Sequence, residues 1–208
     1  MFRKKKEEFD PTVFNDTKAI NLNWKPLKIK QTTTYRTFDI KSKDNMCLEL
    51  GISKPMRRLT FFFFLLSSFF LFFGLYLFKE LGYTVLSIML LIGLFGTLGV
   101  FYGYKNLNKK QCFDKNKGVY IKCHAFNSKL IESSFSLNSI DALQLIKKTI
   151  RGENTNLDCF ELNFVFNNLK RYNLLNHCDE KSIRQQSQQL ADFLEVPLWS
   201  MLDIEDKK

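Results

Sequence analysis

The sequence predicts an α+β protein with a membrane α-hairpin, in which two transmembrane helices precede a bent antiparallel sheet closed by one C-terminal amphipathic helix. Three observations predict this class. Residues 59–104 are almost entirely apolar, several short runs after them alternate with the period of a β-strand, and a late segment changes to the period of a helix. The order of these patterns places the helices before the sheet in the chain.

The apolar stretch contains two runs, 59–78 and 81–104, separated by Lys79 and Glu80. A hydrocarbon core about 30 Å thick needs roughly 20 apolar residues in a helix, and both runs meet that length. The core helix of a soluble protein keeps a polar face over such a length, which these runs lack. We therefore expect an antiparallel pair of transmembrane helices with its tip at Lys79 and Glu80.

Basic residues flank the open end of the predicted hairpin, whereas the tip carries only Lys79 beside an acid. The positive-inside rule therefore predicts that both termini lie in the cytoplasm. Lys54 precedes the first run by a few residues and belongs to the same flank. The other members are candidate contacts for lipid headgroups: Arg57, Arg58, Lys105, Lys109 and Lys110.

Glycine recurs along the second run, at Gly93, Gly96, Gly99 and Gly103. The last two have the small-x3-small spacing that lets membrane helices approach closely. Two alternatives remain open, because the glycines can pack against the first helix within one monomer or against a second copy in a homo-oligomer. Neither run contains an internal acid, arginine or histidine, so the sequence offers no proton relay or ion path.

Two segments precede the hairpin. Residues 1–22 open with clustered charges of both signs and are predicted to form a mobile N-terminal tail. Residues 23–58 contain alternating β-branched and aromatic side chains around a turn at 43–45, which predicts a β-hairpin. Because a lone hairpin is marginal in water, we expect this cytoplasmic juxtamembrane segment to add strands to the rear domain or to lie against it.

Residues 105–208 are predicted to fold as one cytoplasmic domain. Runs at 111–114 and 118–123 flank a polar turn, a third run follows at 130–137, and 140–150 fits a strand or an amphipathic helix. The run 157–166 places phenylalanines on one face and Glu161 on the other, which is expected to be solvated. It pairs with 171–175 across Asn167 and Asn168.

The period then changes to that of a helix. Asp179 is the expected N-cap, Ile183 and Leu190 belong to one apolar stripe, and Pro197 ends the helix. Trp199, with the leucine before it, is then free to fold back on the core. Strands followed by one such helix suit a strongly bent antiparallel sheet with the helix at one open end.

Four stretches in this order carry a resemblance to a known family: CFDKNKGVYIK, SLNSIDALQL, FELNFVFNNLKRYNLL and QQLADFLEVPLW. Together they resemble the bacterial pleckstrin-homology-like (PH-like) domains that follow a two-helix membrane hairpin. The resemblance covers residues 111 to about 199. It implies a PH-like fold, a location in the bacterial inner membrane and a non-enzymatic role, in a family whose members are mostly of unknown function.

The chain has five cysteines, which we expect to be reduced thiols on the cytoplasmic side. Thiolate and imidazole are the ligands that zinc prefers, and Cys123-His124 and His177-Cys178 bring both types, with Cys112 and Cys159 as further candidates. Neighbours in a strand point to opposite faces, so each dipeptide lends at most one ligand. Cys123 fits a small core residue. We expect no metal and no cofactor.

The sequence predicts no enzyme, because it has no phosphate loop and no nucleophile or metal motif. The net charge of +10 forms no basic stripe with interleaved aromatic residues, so nucleic acid is not an expected partner. We expect a non-enzymatic membrane protein whose function is to present a PH-like binding or scaffolding module to a membrane-associated protein. Two alternatives are an immunity protein that protects the inner membrane against a toxin, and a metal- or thiol-dependent enzyme.

Overall fold

The structure is a computed structural model that describes residues 9–28, 33–34, 36–76, 83–107, 109–124, 127–151 and 156–205. The chain divides into two compact units. The hairpin unit comprises residues 36–135, and the terminal unit comprises residues 1–35 together with 136–208. Both units contain helices and strands in their described parts, as an α+β class requires.

The helices are α1 Thr17–Asn21, α2 Lys54–Tyr76, α3 Tyr83–Leu107, α4 Glu180–Leu194 and α5 Leu202–Glu205. The strands are β1 Phe38–Ser42, β2 Cys47–Ile52, β3 Lys109–Asp114, β4 Val119–His124, β5 Asn127–Ser136, β6 Ile140–Arg151, β7 Asn156–Phe166, β8 Arg171–His177 and β9 Leu198–Ser200. Short 3₁₀ turns lie at Pro11–Phe14 and Leu137–Ser139.

Helices α2 and α3 are each long and apolar enough to cross a membrane, as predicted. In the most apolar stretches of α2 and α3, only 11% and 6% of the residues are buried. The core helix of a soluble protein buries most of its apolar residues. Helix α2 begins earlier than residue 59, because the Ser53 hydroxyl accepts a hydrogen bond from the Met56 amide at 3.3 Å and caps the first turn. The predicted tip at Lys79 and Glu80 lies outside the described residues.

Two glycines of α3 pack directly on α2. A Cβ atom added at Gly93 would lie 2.8 Å from the backbone nitrogen of Leu71, and one added at Gly96 would lie 2.8 Å from the Cβ of Ser67. The absence of a side chain at both positions therefore lets the helices approach. For Gly93 and Gly96 the structure favours packing within one monomer.

Strands β1 to β5 form one sheet in that order. Strand β2 pairs antiparallel with both β1 and β3, so a segment in front of the helices and a segment behind them complete one sheet. This confirms that the front segment adds strands. Leu50, Phe113 and Tyr120 are fully buried, and Gly118 (φ 64°) supplies the left-handed residue that the β3–β4 turn requires.

A second sheet has the order β8-β7-β6-β9, with β9 parallel to β6 and the other pairs antiparallel. The region 140–150 is therefore a strand and not a helix. The single bent sheet expected within residues 105–208 is instead two sheets that belong to different units. The reason is that β3 takes β2 as a partner, a strand that precedes the helices in the chain.

Helix α4 begins at the predicted cap, where the Asp179 carboxylate accepts a hydrogen bond from the Ser182 amide at 3.1 Å. Ile183 and Leu190 are fully buried on the predicted stripe. The helix ends before Pro197, and β9 then returns to the sheet with Trp199 only 3% exposed. The amphipathic helix and its return are as the sequence predicts.

Residues 9–22 differ from the predicted mobile tail. They form a 3₁₀ turn and α1, and Phe14 stacks on Trp24 with ring centroids 5.4 Å apart. Their apolar side chains belong to a buried cluster, which consists of Ala19, Leu22, Ala142, Val165 and Trp199. Burial of these side chains against β6 and β7 gives the segment a fixed position. Residues 1–8 lie outside the described ranges.

We expect Gly93→Ala to lower the free energy of unfolding of the α2–α3 pair by about 1–3 kcal/mol, because the new methyl group overlaps backbone atoms that cannot move alone. Gly99→Ala is the matched control, since a Cβ there meets nothing within 4 Å in the described part of the chain. Its effect should stay within about 0.5 kcal/mol. Unfolding in mixed detergent micelles measures both, and equal losses would contradict the packing.

Candidate functional site

One face of the β8-β7-β6-β9 sheet carries polar and charged side chains that the fold nevertheless buries. The set consists of Gln144, Lys148, Glu161, Asn163, Arg171 and Asn173. The first four are at most 7% exposed. Buried polar groups require partners, and residues 23–28, which we call the strap, supply most of them.

Glu161 is the centre of this face and is fully buried. Its Oε1 atom accepts a hydrogen bond from the Leu27 amide at 2.7 Å, and its Oε2 atom accepts one from the Lys28 amide at 2.9 Å. The Asn163 side-chain amide donates a third bond at 2.9 Å. One carboxylate therefore holds two consecutive main-chain amides of a segment more than a hundred residues away in the chain.

The charge of Glu161 has a buried counter-ion. The Lys148 ammonium lies 3.6 Å from Oε2, and it also donates a hydrogen bond to the Lys28 carbonyl oxygen. Burial lowers the pKa of Lys148, and the nearby Glu161 carboxylate opposes that shift. The strap thus satisfies both charged groups, because its amides donate to the Glu161 carboxylate and its Lys28 carbonyl accepts from the Lys148 ammonium.

Two further side chains bind the strap closer to its start. The Gln144 side-chain amide donates to the Asn23 carbonyl at 3.2 Å, and the Arg171 guanidinium donates to the Lys25 carbonyl at 2.9 Å. Arg171 also donates to the Gln144 oxygen at 3.1 Å, which orients both groups. Burial lowers the pKa of Arg171, and Glu161 acts in the opposite direction.

The strap is recognised through its main chain. The side chains of Asn23, Lys25, Leu27 and Lys28 are exposed, although the backbone of each is bound to the sheet. Beyond the strap, the Thr33 hydroxyl donates to a carbonyl oxygen of β8 at 3.1 Å. This face therefore holds an irregular backbone with bends at Lys25 and Leu27, mainly through main-chain groups, while the half-buried Trp24 packs on the apolar cluster.

The sequence predicts that Glu161 lies on a solvated face, and this prediction is wrong because Glu161 is fully buried. The alternation of β7 correctly separates Glu161 from the phenylalanines, but the second face is covered as well. Strand β7 is buried on both sides from Cys159 to Val165. The unusual composition of this face, with an acid and an amide on β7 and a glutamine and a lysine on the neighbouring β6, is the signal that a covering segment exists.

The predicted headgroup contacts fall into two groups. Arg57, Arg58 and Lys105 are exposed, and Arg57 lies with Tyr104 in one groove at the end of the α2–α3 pair where α2 begins and α3 ends. These three residues remain available to a headgroup. Lys109 and Lys110 lie in β3, beyond the end of α3.

Both β3 lysines are held by carboxylates of the same sheet. Lys110 lies 2.9 Å from Glu49, and Lys109 lies 2.5 Å from Glu132. Burial raises the pKa of each glutamate, but the neighbouring cations outweigh it and bring the pKa below the ordinary value. Lys109 and Lys110 therefore form ion pairs within their own sheet.

The remaining predicted helix contacts are Gly99 and Gly103. A Cβ added at either position meets nothing within 4 Å among the described residues. They do not contribute to the close approach that Gly93 and Gly96 allow. The alternative of packing between copies therefore rests on these two positions.

Two of the five cysteines that are expected to be reduced in the cytoplasm are bonded in the structure, where a disulfide joins Cys159 of β7 to Cys178 just before α4. Cys123 is buried, as expected for a small core residue. Cys47 and Cys112 lie on neighbouring strands with their sulfur atoms 3.5 Å apart, a proximity that the sequence did not reveal. Burial and the Cys47 neighbour raise the pKa of Cys112 to about 11, which disfavours the thiolate.

The candidate zinc ligands do not converge. His124 lies 3.1 Å from Glu132, whereas His177 is buried, with its Nε2 atom 3.2 Å from the Gln186 oxygen. Cys159 and Cys178 are bonded to each other. No group of three or more potential metal ligands occurs within the described ranges.

Comparison of the chain with protein-family models, curated proteins and solved structures finds no match.

Proposed function

We propose that this chain is a membrane-anchored, non-enzymatic binding module that holds a non-helical polypeptide segment of a membrane-associated partner on its four-stranded sheet. The observation that carries the proposal is the pair of amide bonds from Leu27 and Lys28 to the buried Glu161 carboxylate. In this proposal the strap is the module's own ligand and occupies the face until a partner segment replaces it.

The chemistry of the face supports a peptide ligand. Its side chains offer an acceptor for main-chain amides in Glu161 and donors for main-chain carbonyls in Lys148, Gln144 and Arg171. A non-helical backbone leaves both kinds of group free, and main-chain bonding gives affinity in known peptide-recognition modes. A partner segment therefore needs free main-chain amides and carbonyls at matching positions more than a particular sequence.

The proposed location is the bacterial inner membrane, with α2 and α3 spanning it and both termini in the cytoplasm. The length and apolar exposure of the two helices support the anchor, and exposed Arg57, Arg58 and Lys105 support the orientation. A PH-like character of the sheets is part of the proposal and rests on the sequence resemblance.

The orientation predicts the redox state of one cysteine pair. In the cytoplasm, glutathione keeps most thiols reduced, so we expect the Cys159–Cys178 bond to be open in growing cells and to close on oxidation after purification. Cells quenched with acid and alkylated under denaturing conditions without reductant should yield five adducts per chain by mass spectrometry. Adducts confined to Cys47, Cys112 and Cys123 would place the terminal unit in an oxidising compartment and contradict the orientation.

Peptide exchange tests the proposed function. A protease site inserted between residues 28 and 33 allows the front segment to be cleaved from the folded chain, after which a fluorescent peptide of residues 9–28 is added. We expect the peptide to replace the cleaved segment, with a rise in fluorescence anisotropy. Glu161→Gln should weaken its affinity about ten- to hundredfold, because hydrogen bonds to a charged group contribute about 1.5–3 kcal/mol.

Glu180→Gln is the matched control for that substitution. It removes the same charge from an exposed carboxylate of α4 that pairs with Arg184 at 2.8 Å, and it should change the affinity less than about twofold. Two results would refute the proposal: a cleaved segment that never exchanges, which makes it a permanent part of the fold, or equal effects of the two substitutions.

A further inference from the structure

The α2–α3 pair forms an apolar groove at the end where the predicted headgroup contacts lie. The groove has a volume of about 230 Å³. It is lined by Arg57, Thr60, Phe61, Phe64, Val100, Phe101 and Tyr104. Phe61 and Phe101 are each more than 60% exposed, so the groove opens to the surroundings of the helices.

The lining of the groove is complementary to a lipid with an apolar chain and an anionic headgroup. Its walls are aromatic and aliphatic, and the single charge among its residues is the Arg57 guanidinium. The Thr60 hydroxyl is occupied, since it donates to the Met56 carbonyl at 2.9 Å. An apolar chain fits the walls, while a negative group at the mouth fits the arginine.

Charge at this end of the helices favours an anion. Arg57 and Arg58 are exposed, and so are Lys54 and Lys105. The Asp39 carboxylate accepts a hydrogen bond from the Lys54 amide at 3.1 Å and is already paired with Arg36 at 2.7 Å. No residue in the described part of the chain pairs with the Arg57 guanidinium. Basic pockets between helices on the cytoplasmic side are suited to anionic headgroups.

We infer that this groove binds one anionic phospholipid, with part of an acyl chain between α2 and α3 and the phosphate at Arg57. This volume is smaller than the roughly 300–1,000 Å³ of pockets that enclose a whole small molecule. The groove therefore holds only a segment of the lipid's acyl chain. Tyr104 lines the groove with Arg57, and tyrosine is enriched at the headgroup level of membranes. The inference rests on the membrane anchor of the proposed function.

The test uses the full chain in phosphatidylcholine nanodiscs that contain a trace of phosphatidylglycerol with a photoreactive group in its acyl chain. We expect crosslinks at Phe61, Phe64 and Phe101, mapped by mass spectrometry. Arg57→Gln should lower crosslinking about fivefold, because one basic residue contributes about 1 kcal/mol to the binding of anionic lipid. Photoreactive phosphatidylcholine should crosslink less to the wild type and show no response to the substitution.

Arg58→Gln is the matched control, because Arg58 is the next residue, carries the same charge and does not line the groove. It should lower crosslinking less than twofold. Val100→Trp keeps every charge but fills the groove, and it should reduce crosslinking to the phosphatidylcholine level. Equal effects of the two arginine variants, or no effect of Val100→Trp in a chain of unchanged helix content, would overturn the inference. A chain that fails to enter the nanodiscs would instead refute the membrane anchor.

Discussion

The terminal unit depends on the buried Glu161 carboxylate, two of whose hydrogen bonds come from the main chain of a distant segment. Burying a carboxylate without partners costs several kcal/mol, and Glu161 avoids this cost through the amides of Leu27 and Lys28, the Asn163 side chain and Lys148. The strap thereby keeps its position on the sheet. The aromatic contact of Phe14 with Trp24 and the burial of Ala19 fix the segment just before it.

The two units are stabilised by different contacts. In the hairpin unit, small residues of α3 let two apolar helices meet, and the sheet gathers strands from both sides of those helices. In the terminal unit, one sheet face packs apolar side chains and the other binds a backbone. Ion pairs such as Lys109–Glu132 hold the strand that follows α3 within its sheet. The apolar helix pair and the sheet face that holds the strap therefore belong to different units.

The sequence predicts elements with strong local signals and misses partners that are far apart in the chain. The apolar runs predict α2 and α3, and Asp179 with its helical stripe predicts α4. The alternation of β7 shows that Glu161 has its own face, but no local pattern shows that residues 27 and 28 cover it. The same limit applies to Cys159 and Cys178, whose pairing depends on how β7 and the start of α4 meet, and to β2, which joins β3 across both long helices.

Amide hydrogen exchange of the strap measures the central interaction directly. If Glu161 holds the main chain, the Leu27 and Lys28 amides exchange far more slowly than those of an unstructured peptide, and Glu161→Gln restores fast exchange at both without changing protection in α4. Free exchange of both amides in the wild type would contradict the account, because the sheet face would then have no bound segment.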